Sequence, residues 1–335
     1  MAENLDDELS RLIANVDIST PERLARFEKW RNEDGSRQGL QGLRKRSSQS
    51  APRSVVEAID QAKRILDDAI AEFEPVAIYA GFSGGFDSLV STHFAIQHSP
   101  SIRPLHINTG IGIERTREYV RSTCGEFGWS LREERTTENY EKLVLEQGFP
   151  GPPHHGKMYN RLKERPIRRV VAEAKTGCSR TDTVMIITGI RADESKIRTG
   201  YKRTTSKVGS QVWVNPLYWS SIDVFREYRE THKLQANPVS AKLGFSGECL
   251  CGANAEIGEL DRIEFVCPQT GAYLRDLERR VREAGFPWGY EGRPPEWWLD
   301  KKRGQGLLGD WFEDEEDKAC VPGPMCNSCE KIRSE

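Results

Sequence analysis

The residues best suited to chemistry stand in one short stretch, SGGFDS at positions 83–88. Two adjacent glycines let a backbone approach an anion closely, and the two serines add hydroxyl groups. An apolar run precedes the stretch, and Leu89, Val90 and Phe94 after it indicate a helix. The pattern predicts a strand, a phosphate-binding loop and a helix whose first N–H groups face the ligand. The alternative is a Gly-Gly turn that binds nothing.

Three further polar segments follow predicted strands at 102–107, 184–188 and 212–214. The first is Asn108-Thr109-Gly110, the second is GIRADESKIR at positions 189–198, and the third is Asn215-Pro216-Leu217. Ligands of open α/β sheets bind beyond the carboxyl ends of the strands, so all three segments are expected beside the loop. The alternative for the arginines of the second segment is surface pairing with Asp193 and Glu194.

The cysteines indicate a metal site. Six of the eight lie beyond residue 245, and a chain of this size without an export signal favours metal ligation over disulfides. A CxC and a CxxC supply four thiolates, the number that a [4Fe-4S] cluster or a structural Zn²⁺ requires. The predicted ligands are Cys249, Cys251, Cys326 and Cys329, with Cys267 and Cys320 as possible replacements. Spacing does not separate iron–sulfur from zinc, and cysteines without a metal remain a third interpretation.

Three motifs resemble one family. SGGFDS lacks the Walker pattern and resembles the PP-loop of N-type ATP pyrophosphatases, which cleave ATP between its α and β phosphates. GIRADESKIR is similar to the GxRxxES..R element of phosphoadenosine phosphosulfate (PAPS) reductases, and NPLYWSSIDVFREY at 215–228 resembles their PL..W...DVW.Y segment. The chain is therefore identified as a member of the PAPS reductase-like branch of the PP-loop, or adenine nucleotide alpha hydrolase, superfamily.

The resemblance implies roles for the matching residues. The loop would hold the departing pyrophosphate through N–H and hydroxyl groups, and Asp87 would help to position Mg²⁺. Arg191 and Arg198 would grip an α-phosphate or an acidic substrate, with Glu194 orienting one of them. The expected nucleotide-binding residues are Ser83, Gly84, Gly85, Asp87, Ser88, Asn108, Gly189, Arg191 and Glu194. The expected catalytic residues are Asp87, Ser88, Arg191 and Arg198.

Two departures from the family's sequence pattern change the expected reaction. The chain lacks the E-C-G-[LI]-H element whose cysteine attacks sulfur in PAPS reductases, and Asn108 stands where the family usually has aspartate. Sulfonucleotide reduction is thus disfavoured. Relatives such as the adenosine phosphosulfate reductases and the DndC-type proteins of DNA phosphorothioation carry a [4Fe-4S] cluster, which favours a cluster over Zn²⁺.

Two basic runs suggest a polyanionic substrate. Residues 157–169 contain six Lys or Arg and one Glu, and residues 196–207 contain five Lys or Arg and no acid. The whole chain has a formal net charge of -2, so only such local clusters could bind nucleic acid. The alternative is a solvated helix face followed by a mobile loop.

The elements that position these residues predict an α/β fold with a doubly wound, mostly parallel sheet and a small Cys-rich C-terminal lobe. We expect N-terminal helices and a basic linker at 1–53, an ATP pyrophosphatase domain at 54–235 and a metal-binding lobe at 236–335. No apolar run approaches the roughly 20 residues that span a bilayer, and the acidic N-terminus does not resemble a signal peptide. We therefore expect a cytoplasmic protein without a membrane partner.

The combined expectation is an ATP pyrophosphatase of the DndC or SspD type. It would adenylate a nucleic-acid acceptor, with DNA phosphate favoured, so that sulfur from a cysteine desulfurase partner can displace AMP. Other proteins of the modification system are expected partners. The alternatives are a sulfonucleotide reductase, a tRNA thiolation enzyme and a non-catalytic nucleotide-binding scaffold.

Overall fold

Helices and strands alternate over residues 55–135 in this computed structural model, which describes Pro52 and residues 54–192 and 204–295. The strands are β1 (Ala77–Gly81), β2 (Arg103–Asn108), β3 (Arg132–Arg135), β4 (Val184–Ile187), β5 (Thr205–Val208) and β6 (Gln211–Val214). The helices are α1 (Val55–Phe73), α2 (Phe86–His98), α3 (Glu114–Glu126), α4 (Tyr140–Gln147), α5 (His155–Tyr159), α6 (Arg165–Ala174), α7 (Ile222–Thr231), α8 (Pro238–Leu243), α9 (Glu259–Val266) and α10 (Pro268–Glu283). A 3₁₀ turn, Pro152–His154, precedes α5, and a π-helical turn, Asn160–Glu164, joins α5 to α6.

The six strands form one sheet in the order β3-β2-β1-β4-β6-β5. Neighbouring strands are parallel except β5, which pairs antiparallel with β6. The chain moves outward from β1 to β3 and then returns to place β4 on the other side of β1. This reversal creates a crevice at the carboxyl ends of β1 and β4, where open α/β sheets bind ligands. The predicted doubly wound, mostly parallel fold is confirmed.

Alternate strand residues bury both faces of the sheet. Ala80, Met185 and Val212 pack in a core with residues of α1, α2 and α7. Tyr79 and Trp213, on the opposite face, pack in a second core with residues of α6. A strand buried on both sides reads as a continuous apolar run, which explains why VMII at β4 was recognisable from the sequence.

The helix before β1 is closed at both ends by its flanking residues. Ser54 is its N-cap, and the side-chain oxygen of Ser54 accepts a hydrogen bond from the Glu57 N–H at 3.2 Å. The helix ends at Phe73, just before Pro75, and Glu74 closes it in a left-handed conformation with φ of 42°. Helix α1 therefore ends directly ahead of the strand that carries the loop.

The two basic runs differ in how much of their charge the structure describes. In the run 157–169, Arg161 and Arg165 lie 3.3 and 3.6 Å from Glu138, while Arg168 and Arg169 pair with other carboxylates at 3.2 and 2.9 Å. Most of the positive charge in this run is thus balanced within the fold. The second run ends in β5, an unpredicted edge strand, and its residues 196–203 lie outside the described part of the chain.

The described C-terminal residues form a helical lobe. Leu260, Leu274 and Leu277 from α9 and α10 share an apolar cluster with Leu143 and Val144 of α4. The described residues from Pro52 onward belong to one compact unit, Ala51–Glu335, and the boundary at 235/236 stays a prediction. Within the described ranges, no helix combines the length and apolar character needed to cross a membrane.

Candidate nucleotide site

The loop between β1 and α2 has the geometry of an anion site. Gly85 occupies the N-cap position of α2 and has no side chain with which to cap the first N–H groups of the helix. The hydroxyls of Ser83 and Ser88 lie 3.1 Å apart, and the Ser88 hydroxyl also donates to the Gly85 carbonyl at 2.9 Å. The N–H groups at the start of α2 can therefore serve an anion, with two hydroxyls beside them.

Two glycines give the loop its shape. Gly84 has φ of +79°, and a Cβ at this position would lie 2.8 Å from Thr116 Cγ2. Its carbonyl accepts a hydrogen bond from the Asn237 side chain at 2.9 Å. Gly189, at the end of β4, is so close to α2 that a Cβ would lie 2.5 Å from the Asp87 carbonyl oxygen. Neither position accommodates a side chain without displacing its neighbours.

Asp87 and Arg191, two predicted catalytic residues, contact each other. Arg191 Nη2 donates to Asp87 Oδ2 at 3.3 Å, and its guanidinium lies 5.3 Å from the centre of the Phe225 ring. Arg191 is 2% exposed and does not line the cavity described below, so its grip on a phosphate stays a prediction. Glu194 and Arg198, the other members of this element, lie outside the described residues.

The Asn108 side chain stabilises the backbone turn that follows β2. Its Oδ1 accepts from the Gly110 N–H at 3.0 Å, and its Nδ2 donates to Glu133 Oε1 at 3.2 Å. The pKa of Glu133 falls to about 2, chiefly because of its hydrogen bond to Arg121. Asn108 is 7% exposed and does not line the cavity, so a direct contact with nucleotide stays a prediction.

The phosphate loop and a cysteine-bearing segment line the same cavity, which has a volume of about 210 Å³. Ser83, Gly85 and the start of α2 line it together with Gly189 and the ends of β1 and β2. Residues 244–246, 248, 249 and 251–255 contribute another part of the wall, and Lys163 of the π-helical turn also lines it. Four predicted nucleotide-binding residues of the loop, Ser83, Gly85, Asp87 and Ser88, therefore share a cavity with Cys249 and Cys251.

Two of the four predicted metal ligands lie among the described residues. Cys249 is partly exposed and Cys251 is buried, and the Tyr140 hydroxyl donates to the Cys251 carbonyl at 2.7 Å. Burial, with a smaller effect of Cys251, raises the pKa of Tyr140 well above its usual value. Among the described residues, no group of three or more Cys, His, Asp or Glu is placed to hold a metal ion. The structure therefore places two of the four predicted thiols, while Cys326 and Cys329 lie outside the described residues.

The predicted role of Asp87 with Mg²⁺ stays a prediction. One oxygen of its carboxylate faces the buried Arg191 guanidinium at 3.3 Å. Within the part of the chain that the structure describes, no group of three or more Cys, His, Asp or Glu is placed to hold a metal ion. Mg²⁺ in nucleotide sites is commonly held by only one or two carboxylates together with substrate phosphates.

A buried ion network beside the cavity was not predicted. Glu248 is 3% exposed and lies 3.2 Å from His106 Nε2 and 3.4 Å from Arg117 Nε. Burial alone lowers the pKa of His106, but its interactions with Glu248 and the Phe82 carbonyl outweigh burial and raise that pKa. The available sequence signal was an acidic residue directly before the CxC pair, within a segment that is otherwise glycine-rich.

Comparison with known proteins shows the family. The model of the phosphoadenosine phosphosulfate reductase domain matches residues 77–246, which is just over half of the chain. The matched region runs from β1 to the segment just before Glu248 and includes the phosphate loop. The chain therefore belongs to the phosphoadenosine phosphosulfate reductase domain family. No curated protein matches the chain significantly.

Solved structures give weaker likenesses. PAPS reductase from Candida auris in a phosphate complex is 18% identical, with a TM-score of 0.42 over 55% of this chain and 85% of that one. FMN adenylyltransferase from Candida glabrata, with FAD and pyrophosphate, is 12% identical, with a TM-score of 0.38 over 61% and 67%. The U34-tRNA thiolase NcsA from Methanococcus maripaludis, with its [4Fe-4S] cluster, is 16% identical, with a TM-score of 0.37 over 68% and 80%. Likeness at these scores carries no inference about function.

Proposed function

We propose that this chain is an ATP pyrophosphatase that adenylates an acceptor for sulfur incorporation and releases AMP and pyrophosphate. One observation carries the proposal: the phosphate loop and the Cys249–Cys251 pair line a single cavity of about 210 Å³. A site that only sensed nucleotide would not need two thiols in its wall. The absence of the reductase E-C-G-[LI]-H sequence supports adenylation over sulfonucleotide reduction.

The loop supplies the first half of the reaction. ATP would bind with its β and γ phosphates at the start of α2, where backbone N–H groups and the Ser83 and Ser88 hydroxyls stabilise the departing pyrophosphate. An acceptor oxygen attacks the α-phosphorus, the bond to the bridging oxygen breaks, and pyrophosphate leaves. Apolar residues of the wall, including Leu105, Ile107 and Ile190, would keep water away from the adenylate.

Sulfur enters in the second half. A sulfur nucleophile attacks the adenylated centre of the acceptor, and AMP leaves with the acceptor oxygen. Cys249 and Cys251, with Cys326 and Cys329 as proposed partners, would hold a [4Fe-4S] cluster or Zn²⁺, and that group when bound would supply a place to hold sulfur. The position of Cys249 and Cys251 in the cavity wall supports a sulfur-holding role beside the proposed adenylation site.

We propose nucleic acid, and DNA phosphate in particular, as the acceptor, with a cysteine desulfurase and other modification-system proteins as partners. The resemblance to phosphorothioation enzymes and the basic runs support this choice. The arginines of the run 157–169 are paired with carboxylates, Lys163 of the same run lines the cavity, and the run 196–207 would supply further cations for contact with a polyanion.

Product analysis with labelled ATP tests the proposal. The anaerobically purified chain is given ATP, Mg²⁺ and either DNA or tRNA, with and without a cysteine desulfurase. We expect AMP and pyrophosphate, an increase with DNA, and loss of at least tenfold in rate with Ser88→Ala but not with the exposed control Ser179→Ala. Release of ADP and phosphate, or of sulfite from a sulfonucleotide, would show a different reaction.

A further inference from the structure

The segment that precedes the cysteine pair is fixed to the chain that follows β2. The Ile113 N–H donates to the Gly247 carbonyl at 2.8 Å, and the Thr116 hydroxyl donates to the Ser246 carbonyl at 2.7 Å. A Cβ on Gly112 would collide with the Glu248 carbonyl. Three consecutive residues before Cys249 are therefore held by backbone contacts that leave little freedom.

The Glu248 side chain adds an ionic attachment inside the protein. Its Oε1 accepts from the Thr109 N–H at 2.9 Å, and its Oε2 lies 3.2 Å from His106 Nε2. The Thr109 hydroxyl donates to the Glu248 backbone carbonyl at 2.5 Å. Arg117 faces both carboxylate oxygens at 3.4 Å. A carboxylate this deeply buried is tolerated only because cations and N–H donors surround it.

His106 extends this attachment to the phosphate loop. Its Nδ1 lies 2.8 Å from the carbonyl of Phe82, the residue directly before Ser83. Both ring nitrogens thus face oxygen atoms, and the interactions with Glu248 and the Phe82 carbonyl raise the pKa of His106 despite its burial. The loop also lies beside the segment, since a Cβ added to Gly85 would lie 3.5 Å from Ser246 Cβ.

We propose that Glu248 is a positioning residue that, through His106, holds Cys249 and Cys251 in a fixed position relative to the phosphate loop. The chain of contacts runs from the Phe82 carbonyl through His106 to Glu248, and Cys249 is the next residue. The attachment itself does not depend on the reaction. Its effect on turnover rests on the proposed adenylation.

Cysteine reactivity tests the attachment without nucleotide. The full chain as purified is treated with iodoacetamide, and the alkylation rate of Cys249 is divided by that of the exposed Cys178 in the same molecule. We expect Glu248→Gln to raise this ratio at least tenfold. Glu256→Gln is the matched control, because Glu256 is an exposed glutamate on the same stretch of chain, and it should leave the ratio within twofold.

Thr109→Val keeps the test decisive if Glu248→Gln does not fold. This substitution preserves side-chain volume and removes the hydroxyl bonds to Glu248 without changing charge, so we expect the ratio to rise about threefold. A ratio within twofold of wild type in every foldable variant would overturn the proposal.

Steady-state kinetics distinguishes positioning from a merely structural role. For Glu248→Gln we expect kcat for AMP formation to fall at least tenfold while KM for ATP stays within threefold. A raised KM with unchanged kcat would overturn positioning, because Glu248 would then act in nucleotide binding. If wild type forms no AMP, the proposed function fails, while the Cys249 to Cys178 ratio still decides whether the attachment exists.

Discussion

Substitution of Gly189 by alanine tests the contact between the end of β4 and the start of α2. The new Cβ would lie 2.5 Å from the Asp87 carbonyl oxygen, 2.7 Å from the carbonyl carbon and 3.1 Å from the Ser88 nitrogen. Because all three are backbone atoms, no side-chain rotation relieves the overlap. The two elements must separate by about 0.5 Å to reach the 3.0 Å limit of real Cβ contacts, and closely packed interiors resist such shifts.

The expected loss has a structural and a functional part. Overpacking costs about 1–3 kcal/mol, and the reduced freedom of the unfolded chain offsets roughly 0.4–1 kcal/mol of this. We therefore expect the free energy of unfolding in urea to fall by about 1–2 kcal/mol. ATP affinity should fall at least tenfold, about 1.4 kcal/mol, because the displaced N–H groups are those proposed to hold phosphate.

The matched control is Gly125→Ala in α3. A Cβ at Gly125 meets no atom within 4 Å, and the position is helical, so alanine should leave stability unchanged or raise it by up to about 1 kcal/mol. Calorimetric ATP titration should show wild-type affinity for this control. Wild-type stability and ATP affinity in Gly189→Ala would refute the packing argument.

Two further predictions concern buried charge. Asp87→Asn removes the carboxylate that faces Arg191, which is 2% exposed, and should lower the free energy of unfolding by about 3 kcal/mol. The exposed control Asp223→Asn should change that free energy by less than about 0.5 kcal/mol. Equal effects of the two substitutions would contradict the pairing. Burial, and then the charge of His232, lower the pKa of His93 from 6.5 to about 4. Because the unfolded chain binds the extra proton, stability should rise by about 3 kcal/mol as pH increases from 4 to 6.5. Urea unfolding from pH 4 to 6.5 should show this rise in the free energy of unfolding for wild type and a smaller rise for His93→Gln. The same pH dependence in both proteins would contradict the role of His93.

Local patterns sufficed for most of the sheet. The strands β1, β2, β4 and β6 were predicted within a residue or two, because apolar runs buried on both faces are visible without tertiary information. Strand β5 was missed, since TSKV is polar and partly exposed at the edge of the sheet. Its lysine is typical of the charges that protect edge strands from pairing with other chains.

The site could be predicted where it depends on residues that are close together in the sequence. The phosphate loop needs only adjacent glycines, serines and a helix start, so SGGFDS identified it. The network of His106 and Glu248 joins residues 142 positions apart, and no local pattern specifies that contact. The contact of Arg191 with Asp87 likewise joins residues 104 positions apart, which no local pattern specifies.

Nucleotide protection of Cys249 tests the central claim most directly, namely that the phosphate loop and the cysteine pair form one site. The full chain is alkylated with and without saturating ATP, and peptide mapping follows Cys249 and the exposed Cys178. We predict that ATP slows modification of Cys249 at least tenfold and leaves Cys178 unchanged, because both the loop and Cys249 line the same cavity. Modification of Cys249 at an unchanged rate while calorimetry shows ATP bound would contradict the shared site.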